Sequence, residues 1–288
     1  MVVVAGMPRA GTTTLYHNLQ KHPMACLPLR KETNYFSFQY DRGVAWFLKF
    51  YRHAATHQIC FDISPGYFFD PHAIDRIQAF DPETKVVIGL RDPVEWVFSL
   101  YQQCAGFDRR IPPFKKFLEG YLFQTERKGK TITFKYRKGM ITDMLAQYRS
   151  AFADRLLLYD FSLLRHDLLT VLQAIEAFAG ISSYFTPQNI ENLKFNAGYR
   201  RNNPVLAYLS RQEPFFSLID LLLPDPAIRF LRKRVDVLSV LNNPPSKGPL
   251  LTPDNIRLAQ DMFDGEHQAI KTLFANHRIL LGSGAPFS

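Results

Sequence analysis

The sequence is poor in features that would indicate a disulfide framework or a zinc site. Its three cysteines, Cys26, Cys60 and Cys104, are far apart and form no C-x-x-C pair. A reducing compartment is therefore the expected environment. No N-x-[ST] glycosylation site occurs, and the first predicted strand begins at residue 2. We therefore expect no signal peptide and a cytoplasmic protein.

Long apolar runs, internal repeats and low-complexity segments are absent as well. No run reaches the ~18 apolar residues that a membrane-spanning helix needs. The 288 residues, 47% of them hydrophobic, predict one large domain over residues 1–288. A formal charge of +9 favours anionic partners. Charge alone does not separate nucleic acid from a nucleotide, a glycan or a membrane surface, and no nucleic-acid partner is predicted.

The N-terminal segment MVVVAGMPRAGTTT combines a strand, a glycine-bounded loop and the start of a helix. Residues 2–5 are a short apolar run typical of a buried parallel strand, and helical spacing resumes at Thr12. Backbone N–H groups at a helix N-terminus, with glycines beside them, predict a phosphate-binding loop. Gly6 and Gly11 have the Walker A spacing, but Thr12 stands where that motif has lysine. This substitution favours a nucleotide with one phosphate or a phosphosulfate at its 5′ end.

Strands alternate with helices through the first 180 residues. Further strands are predicted over residues 24–29, 58–64, 85–90 and 155–161, and helices over residues 46–51, 71–80, 94–105 and 163–180. This alternation is typical of βαβ units. It predicts an α/β, P-loop-containing three-layer sandwich around a central parallel sheet of about five strands.

Two regions interrupt the alternation. Residues 106–139 hold ten Lys and Arg against three Asp and Glu, interleaved with aromatic residues. They predict either a lid or acceptor wall, or a solvated helical face. Residues 200–288 are predicted to form a C-terminal helical part, in which 214–250 favours surface helices over docking on a membrane surface. A helix is predicted over residues 252–274, capped by Thr252.

Four segments, PRAGTTTLY, KETNYF, DISPGYF and LRDPVEWVFSLY, follow one another in this order. Together they resemble the signature of the sulfotransferases that use 3′-phosphoadenosine 5′-phosphosulfate (PAPS), and most closely the heparan-sulfate-type branch. The resemblance covers about the first 105 residues closely and the rest loosely. It implies PAPS as the donor, 3′,5′-ADP as the product and no metal ion.

The resemblance also implies a set of donor-binding residues. Arg91 and Ser99, at the family's spacing, would hold the 3′ phosphate; Arg91 also ends a predicted strand, where open α/β sheets bind ligands. The alternatives are a salt bridge for Arg91 and helix packing for Ser99. Arg200 and Arg201 follow the region where the family places a late loop, or else form a plain basic turn. The 5′ phosphosulfate would be held by Arg9, Ala10, Gly11, Thr12, Thr13 and Thr14.

Catalytic roles follow from the same resemblance. Glu32, in KETNYF, would be the general base that removes the proton of the acceptor hydroxyl. Arg9 stands where many members carry lysine and would stabilise charge on the leaving group, since its pKa excludes proton donation. Other branches use histidine as the base, so His17, His22 and His57 are rivals. A salt-bridged surface role for Glu32 is the remaining alternative.

DISPGYF departs from the family pattern, because Ile63 stands where lysine is common. Asp62 is a candidate acceptor-binding residue, although an acid that ends an apolar strand is also typical of a Walker B site. One alternative function is therefore a P-loop kinase with an atypical loop, using Asp62 or Asp160. A second is a non-enzymatic polyanion-binding module. We predict a sulfotransferase whose acceptor is a sugar or natural-product alcohol.

Overall fold

The structure is a computed structural model that describes residues 1–107, 112–120, 123–127, 130–134, 137–191 and 252–287. Within these ranges, side chains are described except those of residues 105–107, 120, 123–127 and 130–134. The predictions for Arg200, Arg201 and residues 214–250 lie outside the described residues.

A six-stranded sheet organises the described chain. In spatial order its strands are β2 (Ala25–Cys26), β3 (Ile59–Ile63), β1 (Val2–Gly6), β4 (Lys85–Leu90), β7 (Leu156–Asp160) and β8 (Ile279–Leu281). The first five of these strands in spatial order, β2, β3, β1, β4 and β7, pair in parallel with their neighbours. This confirms the predicted parallel α/β sheet. Strand β8 pairs antiparallel with β7 and was not predicted.

Helices cover both faces of the sheet. Along β1, Val3 and Ala5 pack into one hydrophobic cluster, whereas Val2 and Val4 pack into another. Because successive side chains of a strand point to opposite faces, a strand that is apolar throughout requires a layer on each side. The helices are α1 (Thr12–Leu19), α2 (Val44–Leu48), α3 (Ala73–Phe80), α4 (Pro93–Phe107), α5 (Phe114–Gly120), α6 (Met140–Phe152), α7 (Phe161–His166), α8 (Leu168–Ala179) and α9 (Pro253–Leu273).

Two predicted elements differ from the structure. The strand predicted over 24–29 is only Ala25–Cys26, because the chain then leaves β3 and the N–H of Leu29 bonds to the carbonyl of Phe50. The helix predicted over 163–180 is two helices. Asp167 separates them, and its side chain accepts a hydrogen bond from the N–H of Thr170 as the N-cap of α8.

The basic region over 106–139 contains an element that was not predicted. Strands β5 (Phe123–Arg127) and β6 (Lys130–Phe134) pair antiparallel as a separate two-stranded sheet. Among the described residues of this region, the short helix α5 precedes these strands. The alternative of a solvated helical face is not tested by these elements. The region's role as an acceptor wall stays a prediction.

The helix predicted over 252–274 is confirmed as α9. Thr252 Oγ1 accepts a hydrogen bond of 3.3 Å from the N–H of Asn255, which is the predicted cap. The helix packs on α4, where the ring of Phe263 lies edge-on to Trp96. His267 Nδ1 contacts the carboxylate of Asp92 at the start of α4. The C-terminal helix thus braces the helix that carries Ser99.

Candidate active site

The loop between β1 and α1 is hydrogen-bonded to two other strands of the sheet, β4 and β7. The N–H of Met7 donates to the carbonyl of Gly89 on β4 at 2.8 Å, and Tyr159 Oη on β7 donates to the carbonyl of Ala10 at 3.2 Å. Helix α1 begins at Thr12, and the N–H groups of a first helical turn have no partner within their own helix. The loop therefore presents an anion-binding helix end at the carboxyl edge of the sheet.

Two residues of the loop adopt left-handed backbone conformations. Gly11 has φ of 78° and Arg9 has φ of 67°. A Cβ atom at Gly11 would lie 2.7 Å from Leu164 Cδ2 of α7, so glycine meets a steric as well as a conformational need. The predicted threonines line the start of the helix: Thr12 and Thr14 are buried and Thr13 is half-buried. Ala10 is buried, so it can offer a ligand only its backbone.

Arg9, Arg91 and Ser99 meet beside this loop. Arg91 follows β4, and its Nη1 donates to the carbonyl of Arg9 at 2.9 Å. Arg9 Nε donates to Ser99 Oγ, also at 2.9 Å. Asp92 caps α4 by accepting from the N–H of Glu95, which fixes the helix that delivers Ser99. Residues 90 positions apart in sequence thus form one cluster.

The electrostatics of this cluster favour an anion. Burial, and then the charge of Arg91, lower the pKa of Arg9 from its usual 12.5 to about 10. Burial also lowers the pKa of Arg91, although Glu95 opposes that shift. Among the residues that the structure describes, none offers a hydrogen-bond partner to the buried Nε of Arg91. Two desolvated cations and an unsatisfied N–H fit a bound phosphate, which would restore the lost solvation.

The alternative explanation for Arg91, a salt bridge, is present but weak. Its Nη2 lies 3.4 Å from Glu95 Oε2, and that carboxylate is half exposed and shared with Arg165. An exposed pair of this kind contributes little. The face of the Arg91 guanidinium packs on the Phe161 ring, 4.7 Å from its centroid. This stacking orients the guanidinium.

Glu32 lies in the loop that follows β2. Its side chain is 42% exposed, and Lys31 Nζ lies 2.5 Å from Oε1. The backbone of Glu32 is left-handed, with φ of 60°. The carboxylate can therefore be reached by an acceptor, and it is also salt-bridged to its neighbour. The structure is compatible with both explanations given for this residue.

Asp62 does not lie where a residue that contacts the acceptor would lie. Its side chain is fully buried and accepts hydrogen bonds from the hydroxyls of Ser64, Thr33 and Tyr67, at 3.0, 2.9 and 2.6 Å. Burial raises its pKa to about 6, and the hydroxyls partly oppose that shift. The prediction that Asp62 binds the acceptor therefore has to be corrected, since solvent does not reach it here. These hydroxyls were not singled out from the sequence, although Ser64 and Tyr67 stand in DISPGYF.

The carboxylates of both Walker B candidates, Asp62 and Asp160, are occupied by contacts within the protein. The carboxylate of Asp62 is occupied by three hydroxyls. That of Asp160 caps α7 by accepting from the N–H and hydroxyl of Ser162, and it contacts Arg278. Within the described ranges, no group of three or more His, Cys, Asp and Glu residues could hold a metal ion.

The three histidines that are alternatives to Glu32 as the general base have different environments. His22 is buried, and its Nδ1 accepts from the N–H of Met24 at 3.0 Å while its Nε2 lies 3.0 Å from the carbonyl of Ser182. Both of its ring nitrogens are therefore used structurally. His17 is buried within α1, and His57 is exposed in the turn before β3.

Comparison with known proteins identifies related sequences. A family model described as "Sulfotransferase domain" matches residues 1–217. Human heparan sulfate glucosamine 3-O-sulfotransferase 6 is 31% identical over 113 residues, which cover 39% of this chain and 33% of that protein. The membrane-associated sulfotransferase kil1 of Dictyostelium discoideum is 32% identical over 102 residues, covering 34% of this chain and 22% of that protein. The chain spans about a third or less of the length of these relatives.

Solved structures support the fold. A sulfotransferase from Alicyclobacillus acidocaldarius superposes with a TM-score of 0.55 at 18% identity, over 79% of this chain and 98% of that one. Mouse sulfotransferase SULT7A1, complexed with PAP (3′,5′-ADP), gives a TM-score of 0.50 at 14% identity, over 94% of this chain and 88% of that one. At these identities the likeness establishes the α/β fold.

The cytoplasmic location predicted from the sequence is contradicted by these relatives. One is membrane-associated by name, and another is named for its action on heparan sulfate. The prediction of a cytoplasmic protein is therefore wrong. Among the described helices, none has the length and apolar character needed to cross a bilayer.

Proposed function

Because the chain belongs to the sulfotransferase domain family, we propose that it moves a sulfuryl group from PAPS to a hydroxyl of a sugar. The observation that carries this proposal is the convergence of Arg9, Arg91 and Ser99 beside a phosphate loop that lacks the Walker lysine. The relative that acts on heparan sulfate by name supports a sugar acceptor over other alcohols.

The donor would be held at both of its phosphate ends. The N–H groups at the start of α1 face the 5′ phosphosulfate, and Arg9 lies beside them. Arg91 and Ser99 take the 3′ phosphate, with the unpaired Nε–H of Arg91 as one donor. Charge-assisted hydrogen bonds of this type contribute ~1.5–3 kcal/mol each.

The proposed reaction is an in-line transfer. Glu32 accepts the proton of the acceptor hydroxyl while that oxygen attacks sulfur and the bond from sulfur to the bridging phosphate oxygen breaks. The products are a sulfate ester and 3′,5′-ADP, and the proton ends on Glu32. Arg9 stabilises the negative charge that develops on the departing phosphate. Lys31, adjacent to Glu32, holds the carboxylate at the surface of the site.

Ile63 stands where the family commonly has lysine, so this chain has no cation at that position. Its side chain is fully buried in the hydrophobic cluster beside Val2, Val4 and Phe61. The sulfuryl group would therefore depend more heavily on Arg9. A kinase or a polyanion-binding module has no comparable support among the described residues.

The test begins with the donor. 3′,5′-ADP should raise the melting temperature without Mg²⁺, whereas ATP with Mg²⁺ should raise it far less. Turnover is then measured with ³⁵S-labelled PAPS against heparan sulfate and a panel of simple sugars and phenols. Equal, metal-dependent stabilisation by ATP would favour a kinase. Binding of sulfated glycan without any transfer would favour the binding module.

A further inference from the structure

Asp62 lies at the centre of a hydrogen-bond relay that ends on the loop carrying Glu32. Three hydroxyls donate to its carboxylate: Ser64 to Oδ1, and Thr33 and Tyr67 to Oδ2. All four side chains are fully or almost fully buried. The carboxylate and its three donors therefore form a connected cluster away from solvent.

Each of these hydroxyls also accepts one backbone N–H, and the three N–H groups are consecutive. Ser64 Oγ accepts from Asn34 at 3.1 Å, Thr33 Oγ1 from Tyr35 at 3.2 Å and Tyr67 Oη from Phe36 at 3.2 Å. The segment that directly follows Glu32 is thus bound through three hydroxyls to one carboxylate, and two of these hydroxyls, Thr33 Oγ1 and Tyr67 Oη, lie 3.2 Å from each other.

The ionised carboxylate fixes the direction of these bonds. A carboxylate can only accept, so each hydroxyl must turn its single hydrogen towards Asp62. The hydroxyl lone pairs are then left for the N–H groups of residues 34–36. An amide oxygen at position 62 would be a weaker acceptor than a carboxylate, and the amide NH₂ would face at least one hydroxyl, which would have to turn its hydrogen away and lose that acceptor.

The segment held in this way has an unfavourable backbone conformation. Glu32 and Asn34 are both left-handed, with φ of 60° and 52°. Residues other than glycine keep such conformations only where the surroundings enforce them. The Asn34 side chain adds a bond of 3.1 Å from its Nδ2 to the carbonyl of Glu32, which links the relay to the residue itself.

We propose that Asp62 is a positioning residue for sulfuryl transfer. Through Ser64, Thr33 and Tyr67 it holds the left-handed turn that aims the Glu32 carboxylate at the acceptor. The inference rests on the proposed function of Glu32 as the base. It replaces direct contact between Asp62 and the acceptor with an action through the backbone.

The relay predicts a one-to-one pattern in amide exchange. Ser64→Ala should speed hydrogen exchange mainly at the N–H of Asn34, Thr33→Val mainly at Tyr35, and Tyr67→Phe mainly at Phe36. The expected acceleration is about threefold to tenfold, as for the loss of one neutral hydrogen bond. Asp62→Asn should accelerate all three. NMR exchange on the full chain measures them, and a uniform change that ignores this pairing would overturn the proposal.

The catalytic effect is separated from simple destabilisation by a matched control. Asp62→Asn should lower kcat by about tenfold to a hundredfold, as expected for a misplaced catalytic group. The Kd for 3′,5′-ADP should stay within about threefold of wild type, since no phosphate-binding residue is altered. Glu176→Gln is the control, because Glu176 is also buried and accepts from the N–H groups of Tyr184 and Phe185. It should lower the melting temperature without changing kcat.

The outcomes distinguish this proposal from the assignment of the base. If Glu32→Gln is inactive and Asp62→Asn turns over normally, the positioning role is wrong. If Glu32→Gln remains active, the base assignment is wrong, and the exchange pattern alone decides whether Asp62 anchors the turn. Should Asp62→Asn fail to fold, the three hydroxyl variants carry the same test.

Discussion

Arg9 Nε donates a hydrogen bond of 2.9 Å to Ser99 Oγ, which joins the phosphate loop to α4. The two residues belong to opposite ends of the expected donor, one beside the 5′ phosphosulfate and one beside the 3′ phosphate. Under the proposed assignment, this contact links the residues at the two ends of the donor. Substitution at one should therefore be felt at the other.

Ser99→Ala is expected to weaken 3′,5′-ADP binding by about threefold to tenfold, the effect of one lost hydroxyl hydrogen bond. In an Arg9→Lys background the same change should cost less, because lysine has no Nε–H to share with the hydroxyl. Calorimetric titration of the two single variants and the double variant measures this coupling. Strictly additive losses would show that the contact does not matter for binding.

Arg91→Ala is expected to weaken 3′,5′-ADP binding by about tenfold to a hundredfold, since a charge-assisted phosphate contact is lost. Binding of 5′-AMP should fall only about threefold, because Arg91 also supports the loop through the carbonyl of Arg9. Arg91→Lys is the control that keeps the charge but not the fork of donors. Equal losses for both nucleotides would make Arg91 purely structural.

The sequence predicts the parallel sheet well because its strands are continuous apolar runs. Residues 85–90 are the clearest example, and the strand has those bounds in the structure. The position of Arg91 at the carboxyl edge of the sheet follows from the same logic, since it stands where a parallel strand ends. Its contact with the carbonyl of Arg9 was not predicted. Strand β8 was missed because three apolar residues near the C-terminus carry too little pattern to be told from a turn.

The Asp62 cluster could not be found by the same reasoning. Asp62 and Ser64 are close in sequence, but Thr33 reaches them only because β2 and β3 are neighbours in the sheet. An acid at the end of a strand suggests a ligand site, and nothing local to the sequence shows that hydroxyls enclose it. Burial is a tertiary property, and it decides the role of this residue.

Asp62 should make stability depend on pH. Burial raises its pKa from 3.8 to about 6, so between these values the folded protein binds more protons than the unfolded chain. The contribution of this residue to the free energy of unfolding is therefore largest below pH 4 and is lost as pH rises through 6. The loss should be at most about 3 kcal/mol. Urea unfolding of wild type and Asp62→Asn between pH 4 and 7 measures the difference.

The groups that surround Asp62 cannot supply the same dependence. Tyr67 and Tyr51 stay neutral throughout, since burial raises their pKa values well above 10. Glu32 and Lys31 are present in both proteins, so they do not distinguish wild type from Asp62→Asn. A stability difference between the two proteins that does not vary from pH 4 to 7 would contradict the raised pKa.

Gly89→Ala should destabilise the protein and loosen the phosphate loop. A Cβ atom at this position would lie 2.3 Å from Tyr159 Oη, the group that donates to the carbonyl of Ala10. Overpacking of this kind costs about 1–3 kcal/mol. Gly265→Ala is the control: it lies in α9, no atom of the described residues lies within 4 Å of its Cβ position, and the change should be neutral or slightly stabilising. Thermal unfolding and 3′,5′-ADP titration compare the two variants. Equal melting temperatures and equal Kd values would contradict the predicted clash.

Glu32→Gln tests the proposed base most directly. Glutamine keeps the shape of the side chain but cannot take the proton from an acceptor hydroxyl, so kcat should fall by about 10²–10⁴. The Kd for 3′,5′-ADP should change by less than about threefold, because Glu32 is not assigned to phosphate and its charge opposes anions.

His57→Asn is the matched surface control and should keep its activity. His22→Asn should lower the melting temperature, because its ring is hydrogen-bonded to the backbone on both sides, while kcat below that temperature is retained. Steady-state kinetics on these variants and on His17→Asn identify the residue that acts as the base. If a histidine variant loses activity while Glu32→Gln turns over normally, that histidine is the base, and the likeness to the heparan-sulfate-type enzymes concerns donor binding alone.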